Sequence, residues 1–210
     1  MASRPDLPGR PVLGHAAASV LLLHPPDVVD TACALASAWR PVVPAAEIVL
    51  LSVRAGEVGN AATALLAHRL DRAQLDVTRM VLAGICGAEG LAFRLAFGEG
   101  AAACAGVLTC GGAPLRPPFE PLSDLHARRG TRLRLVWEAR DPLRCAGALG
   151  RTLSRFRAVG LDAQGTVLRQ EEAGGDRTEG GPSPALMRLT GAYLGELVAI
   201  TLGAAPRCGA

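Results

Sequence analysis

Six short runs, apolar almost from end to end, recur along this chain, and longer segments with apolar residues at helical spacing lie between them. The runs are Ser19 to His24 (SVLLLH), Glu47 to Val53 (EIVLLSV), Val77 to Ala83 (VTRMVLA), Ala105 to Thr109, Arg132 to Glu138 and Ala163 to Arg169. A strand with one wet face alternates apolar and polar residues. A strand without that alternation is buried on both faces, as happens where helices cover both sides of a parallel sheet. The intervening helices are expected from Asp27 to about Trp39, over Ala61 to Ala73, from about Ala88 to Phe97, from about Cys145 to Val159, and from Pro184 to about Leu202. Strands alternating with helices predict an α/β fold: a doubly wound, mostly parallel sheet of about six strands with right-handed crossovers.

The boundaries have local causes. Pro25 and Pro26 end the first run, and Pro41 and Pro44 break the chain before the second. Asp27 is placed to cap the helix that follows, and Ser183 with Pro184 forms the start signature of the last one. Pro114 to Pro121 is a proline-rich connection, and Glu171 to Pro184 (EEAGGDRTEGGPSP) reads as a mobile polar loop. The final helix carries Leu186, Leu189, Tyr193, Leu197 and Ile200 on one face. Arg188 and Glu196 interrupt it, so it is amphipathic rather than membrane-spanning.

With 210 residues, half of them hydrophobic, the chain suffices for one substantial core. It divides into a Pro/Arg-rich arm, residues 1–18, and a single α/β domain, residues 19–205. Only 3% of residues are aromatic, so Leu, Val and Ala must fill the core, which suits helices packed closely on a parallel sheet. A net charge of +3, carried by arginines dispersed among acids, gives no nucleic-acid footprint. The nearest cluster, Arg128, Arg129, Arg132 and Arg134, reads as a solvated edge at a strand start. The arm has no apolar segment of signal-peptide or anchor type, which points to the cytoplasm and to no membrane span. Cys33, Cys86, Cys104, Cys110, Cys145 and Cys208 form no CxxC pair and have no histidine at metal spacing. No metal or cofactor is implied, and most are read as reduced, buried, small apolar side chains.

The segment Arg79 to Phe97 (RMVLAGICGAEGLAFRLAF) runs from a strand through Gly84, Cys86 and Gly87 into a helix rich in small residues. It resembles the nucleophile elbow of the α/β-hydrolases, with cysteine where serine is usual and Ala88 where the motif's last glycine is usual. The rest of the chain follows in order. Ser19 to Asp27 resembles the strand and His-Gly turn that open the smaller members, including the phospholipase/carboxylesterase and dienelactone hydrolase families. Leu133 to Pro142 (LRLVWEARDP) resembles the strand that delivers the family's acid, here Asp141. The resemblance spans roughly residues 19 to 202. It implies a nucleophile at Cys86, an oxyanion donor at the Gly87 amide and a minimal α/β-hydrolase fold. Dienelactone hydrolases use a cysteine nucleophile.

The sequence departs from the family at three places. The loop Glu171 to Pro184, where the family keeps its catalytic histidine, contains none; the equivalent position falls near Gly180. Where the family has His-Gly, this chain has His24 followed by two prolines, which carry no N–H to donate to an oxyanion. The serine has become Cys86, which is either a nucleophilic or redox-sensitive thiol or a small residue kept because it fits the turn. His24 and His126 are the candidate substitute bases, while His15 and His68 read as surface residues. Without its histidine, Asp141 reads as a turn residue before Pro142. Glu89 in the helix's first turn opposes the helix dipole's pull toward thiolate at Cys86. The expectation is a hydrolase-like protein that has lost its activity and serves as a binding or structural subunit of a larger assembly. The alternative is a cysteine-dependent ester, thioester or lactone hydrolase with a relocated histidine. A protein partner or a small acyl or ester ligand fits these readings, as does a metabolite bound at the strand ends.

Overall fold

The computed structural model describes residues 18–53, 77–97, 104–111, 130–139, 142–169 and 182–203. The strands are β1 (Ala18–His24), β2 (Ala46–Ser52), β3 (Met80–Ile85), β4 (Gly106–Gly111), β5 (Arg132–Ala139) and β6 (Ala163–Arg169). They form one sheet in the order β2-β1-β3-β4-β5-β6, every neighbour parallel. The helices are α1 (Val29–Trp39), α2 (Glu89–Phe97), α3 (Pro142–Ala158) and α4 (Pro184–Thr201). The apolar continuity of the runs has its expected consequence: β1 and β3, inside the sheet, are buried along their whole length, and among the described strands only β2 and β6, at the two ends of the order, are half-buried.

Two cores result, one on each face. On one, Leu91, Phe93 and Phe97 of α2 and Leu149, Leu153 and Phe156 of α3 cover Leu82, Val107, Leu133 and Leu135. Phe93 stacks on Phe156 with centroids 5.7 Å apart. On the other, Leu35 and Trp39 of α1 and Leu194 and Leu197 of α4 cover Val20, Leu22, Val81 and Leu108. Trp39 buries its indole by donating Nε1–H to Thr190 Oγ1 at 3.0 Å, so no polar atom of that ring is stranded. Small residues set the approach of α4, since a Cβ on Gly106 would come within 2.8 Å of Leu197 Cδ2.

Several local expectations change. β3 begins at Met80 rather than Val77, because Thr78 and Arg79 interrupt the apolar run and sit in a 3-10 turn, Val77–Arg79. Asp27 does not cap α1: the prolines start a 3-10 turn over Pro26–Val28, which places Asp27 inside the turn instead of in the extended conformation a cap needs. α3 starts at Pro142, ahead of Cys145, as the fixed φ of proline at a first helical position allows. Ser183 does cap α4, accepting from the Leu186 amide at 3.1 Å. The cysteines are less buried than expected. Cys104 and Cys110 are buried and Cys145 is half-buried, but Cys33 on the outer face of α1 and Cys86 are exposed.

The solvated-edge reading of the arginines fails at Arg134, whose side chain has no exposure. It points inward from β5, and the charge is held by two carboxylates, one on α4 and one in the turn just before β6. Nε and Nη2 donate to Glu196 of α4 at 3.1 and 2.6 Å, and Nη1 and Nη2 donate to Asp162 at 3.2 and 3.1 Å. Nη1 also donates to the Leu133 and Asp162 carbonyls. Burial alone would make the guanidinium easier to deprotonate, but its hydrogen bonds to Glu196 and Asp162 outweigh that and hold the proton more tightly. Arg132 keeps the more exposed place, donating to Asp162 at 3.1 Å. The predicted helix over Ala61 to Ala73, the arm before residue 18, Arg128, Arg129 and residues 171–181 lie outside the described residues.

Candidate active site

Strand order reverses between β1 and β3, and the crevice at the carboxyl ends of such strands is where open α/β sheets place their ligands. β3 ends at Ile85 directly into a tight turn. Cys86 has φ 51 and Gly87 φ 107, the Ala88 amide donates back to the Ile85 carbonyl at 3.0 Å, and α2 begins at Glu89. A left-handed conformation at a residue other than glycine costs on the order of 1–3 kcal/mol, so the surroundings must impose it. Gly84 is part of that imposition. A Cβ there would lie 2.9 Å from the Ala88 carbonyl oxygen, 2.9 Å from Glu89 Cα and 3.0 Å from Ala92 Cβ. Only a bare backbone lets α2 come down this close to β3, and the close approach lifts Cys86 to the tip of the turn, exposed to solvent.

The Gly87 amide, which the resemblance assigns to an oxyanion, is already engaged: it donates to Glu89 Oε2 at 2.7 Å. The same carboxylate accepts from its own residue's amide. Its other oxygen lies over the end of β4, where a side chain on Gly111 would collide with it. Burial raises the Glu89 pKa, and the two backbone hydrogen bonds only partly offset that rise.

Beside this group stands Cys110, the residue of β4 in register with Ile85, whose carbonyl accepts from the Cys86 amide at 3.3 Å. Burial, then the charges of Cys86, Glu89 and Glu138, push its thiol well above the ordinary range. Cys110 is therefore an inert thiol. Glu138, near the end of β5, accepts a 3.3 Å bond from Ser183 Oγ, which ties the acid-bearing strand to the start of α4.

His24 ends β1 one residue beyond the Leu23 to Gly84 pairing, at the same sheet edge as the elbow, and is 3% exposed. Its Nδ1 lies 2.8 Å from the Pro25 carbonyl oxygen; a carbonyl only accepts, so Nδ1 donates in this contact, which leaves Nε2 as the acceptor nitrogen whenever the ring holds a single proton. Pro25 Cγ is 3.9 Å from where a Cβ on Gly87 would stand, so the Pro25-Pro26 segment borders the elbow without offering an N–H to it. The structure thus brings His24, Pro25, Cys86, Gly87 and Glu89 to one edge. Asp141, His126 and Gly180 lie outside the described residues. Among the described residues no group of three or more His, Cys, Asp or Glu is placed to hold a metal, and no helix is long and apolar enough to cross a membrane.

Glu89 was visible in the sequence as an acid in a first helical turn. Which amide it would take was not, because that depends on the turn's reversed φ and on the clearance at Gly111. Glu138 and Ser183, a strand residue and a cap far apart in the chain, had no joint signal.

No protein-family profile and no curated protein matches the sequence. Solved structures do match the fold. Esterase PE8 superposes with TM-score 0.58 at 17% identity, over 88% of this chain and 94% of that one. A hormone-sensitive lipase from a metagenome library gives 0.59 at 14% identity over 90% and 80% of the two chains. The dienelactone hydrolase-like promiscuous phosphotriesterase P91 gives 0.53 at 14% identity over 88% and 86%. At these identities the likeness establishes architecture.

Proposed function

Starting from this α/β-hydrolase fold, we propose that the chain is a hydrolase-like protein without ester turnover, which acts in the cytoplasm as a binding or structural subunit of a larger assembly. The observation that carries the reading is the Gly87 amide, which donates to the Glu89 carboxylate at 2.7 Å and is therefore not offered to a tetrahedral intermediate. The neighbouring Pro25-Pro26 segment supports it, since it has no N–H to serve as a second donor. Removing one oxyanion donor commonly costs about 2.7–4 kcal/mol of transition-state stabilisation, so a site lacking both loses most of its electrostatic catalysis. The absence of histidine from residues 171–184 removes the family's usual proton carrier as well.

The test is turnover of short acyl p-nitrophenyl esters and thioesters by the purified chain, compared with Cys86→Ala. Indistinguishable steady-state rates are expected. Repeated turnover lost on Cys86→Ala would end the proposal.

A second reading, a cysteine-dependent hydrolase of esters, thioesters or lactones, draws on two observations. Cys86 remains exposed on a strained turn, and His24 is held with Nδ1–H on a carbonyl, the tautomer in which Nε2 accepts a proton. It requires that His24→Ala or His126→Ala abolish a bell-shaped pH–rate profile. A flat profile in the unaltered protein excludes it.

A further inference from the structure

The closed amide is closed by a side chain, and a side chain can be removed. We propose that Glu89 is an autoinhibitory residue: its carboxylate occupies the backbone donor that an acyl oxyanion formed at Cys86 would need, so that removing it makes Cys86 open to acylation. This rests on the reading that the site does not turn over, and it says what keeps its first chemical step shut.

The geometry is specific. An oxyanion is stabilised by an amide about 2.7–3.1 Å away, in the place the oxyanion itself will take. Glu89 Oε2 holds that place on the Gly87 amide at 2.7 Å, with a charge-assisted bond. An arriving oxyanion must displace it and then sit beside the charge it displaced. The carboxylate is held by more than this bond, through its own amide and through the space kept for it at Gly111. Cys86, by contrast, stays exposed at the tip of the turn.

Two reactions of the same thiol separate this role from a general one. In acylation by p-nitrophenyl acetate, the Cys86 thiolate attacks the carbonyl carbon and the C–S bond forms. The carbonyl electron pair moves to oxygen, then returns as the C–O bond to p-nitrophenolate breaks; the thiol proton has gone to water. That path has an oxyanion. Alkylation by iodoacetamide forms C–S as iodide leaves, and has none.

The experiment measures both second-order rates at Cys86 by site-resolved mass spectrometry, in the unaltered chain, Glu89→Ala and Glu89→Gln. Glu89→Ala should raise the ratio of acylation to alkylation by about tenfold or more, given that one oxyanion donor is commonly worth about 10²–10³ in rate. Glu89→Gln, which keeps an acceptor but loses the charge, should fall between and also serves if Glu89→Ala does not fold. A ratio equal in all three overturns the proposal, whether both rates rise together, as from a change in thiol ionisation, or neither moves, as from a purely structural cap. The function reading fails separately, by multiple turnovers in the unaltered chain.

Discussion

Gly84→Ala and Gly90→Ala make the same chemical change six residues apart, and the structure assigns them opposite signs. At Gly84 the new Cβ meets the Ala88 carbonyl oxygen and Glu89 Cα, each at 2.9 Å, and Ala92 Cβ at 3.0 Å. Two of the three are backbone, so no side chain can swing away, and α2 must retreat from β3 by roughly half an ångström to reach ordinary contact. Overpacking of this kind costs about 1–3 kcal/mol. At Gly90, in the first turn of α2, the nearest atom is the far end of Arg94, at 3.9 Å, and the helix gains at most about 0.8–1 kcal/mol of propensity, the value for a helix interior. Urea unfolding followed by tryptophan fluorescence should therefore place the variants about 1–4 kcal/mol apart, with Gly90→Ala above the unaltered chain. Gly84→Ala should also change the iodoacetamide reactivity of Cys86, because the strained turn is set by the helix that moves. Equal stabilities, or an unchanged thiol rate in a destabilised Gly84→Ala, would refute the claim that this contact builds the elbow.

Arg134→Met should lower stability by about 3 kcal/mol, since it removes the guanidinium that Glu196 and Asp162 share and leaves Asp162, of its two arginine partners, with Arg132 alone. Asp162 and Glu196 are partly solvated, which keeps the loss at the low end of the range for broken buried pairs; a loss under about 1 kcal/mol by urea denaturation would contradict this. Burial pushes the Asp162 pKa up, but the hydrogen bond and charge of Arg134 outweigh it and hold the carboxyl below its ordinary value. Its contribution is then complete above about pH 4 and is lost as pH falls through the lower folded value. Asp162→Asn should flatten that acid limb in unfolding measured from pH 5 to 2. Cys86→Gly should stabilise the chain by up to about 1 kcal/mol by relieving the positive φ, and a lower unfolding midpoint would show that the thiol's own contacts outweigh the strain.

Architecture was legible because it depends on patterns summed over many residues. Continuous apolar runs such as Ser19 to His24 admit few placements other than a strand covered on both faces, and six of them alternating with helices leave little choice of fold. The elbow was legible because Gly84, Cys86 and Gly87 each meet a separate local demand, of close approach, exposure and reversed φ. Arg134 was not, because an arginine two residues into a strand looks the same whether it faces water or a pair of acids, and those acids are Asp162 and Glu196, 28 and 62 positions on. The engagement of the Gly87 amide was hidden for a similar reason: an acid in a first turn announces an attraction to amides, while the amide it takes is chosen by the turn and by the empty space at Gly111.

The persistence of the strained turn carries less about catalysis than it first suggests. Strain at Cys86 is the mechanical result of a helix held against a strand by Gly84, Ala88 and Ala92, with Leu91 and Phe93 anchored in the core below. Those contacts belong to the stability of the sheet and would be kept whether or not anything reacts at the tip. Catalysis depends on different atoms, the donors that meet developing charge and the base that moves a proton, and these do little for the core. At this edge the packing contacts are closely made, while the Gly87 amide faces a carboxylate and the neighbouring segment is two prolines. Selection on packing alone can hold an elbow in shape, so the state of the Gly87 amide is the better index of whether the thiol above it does chemistry.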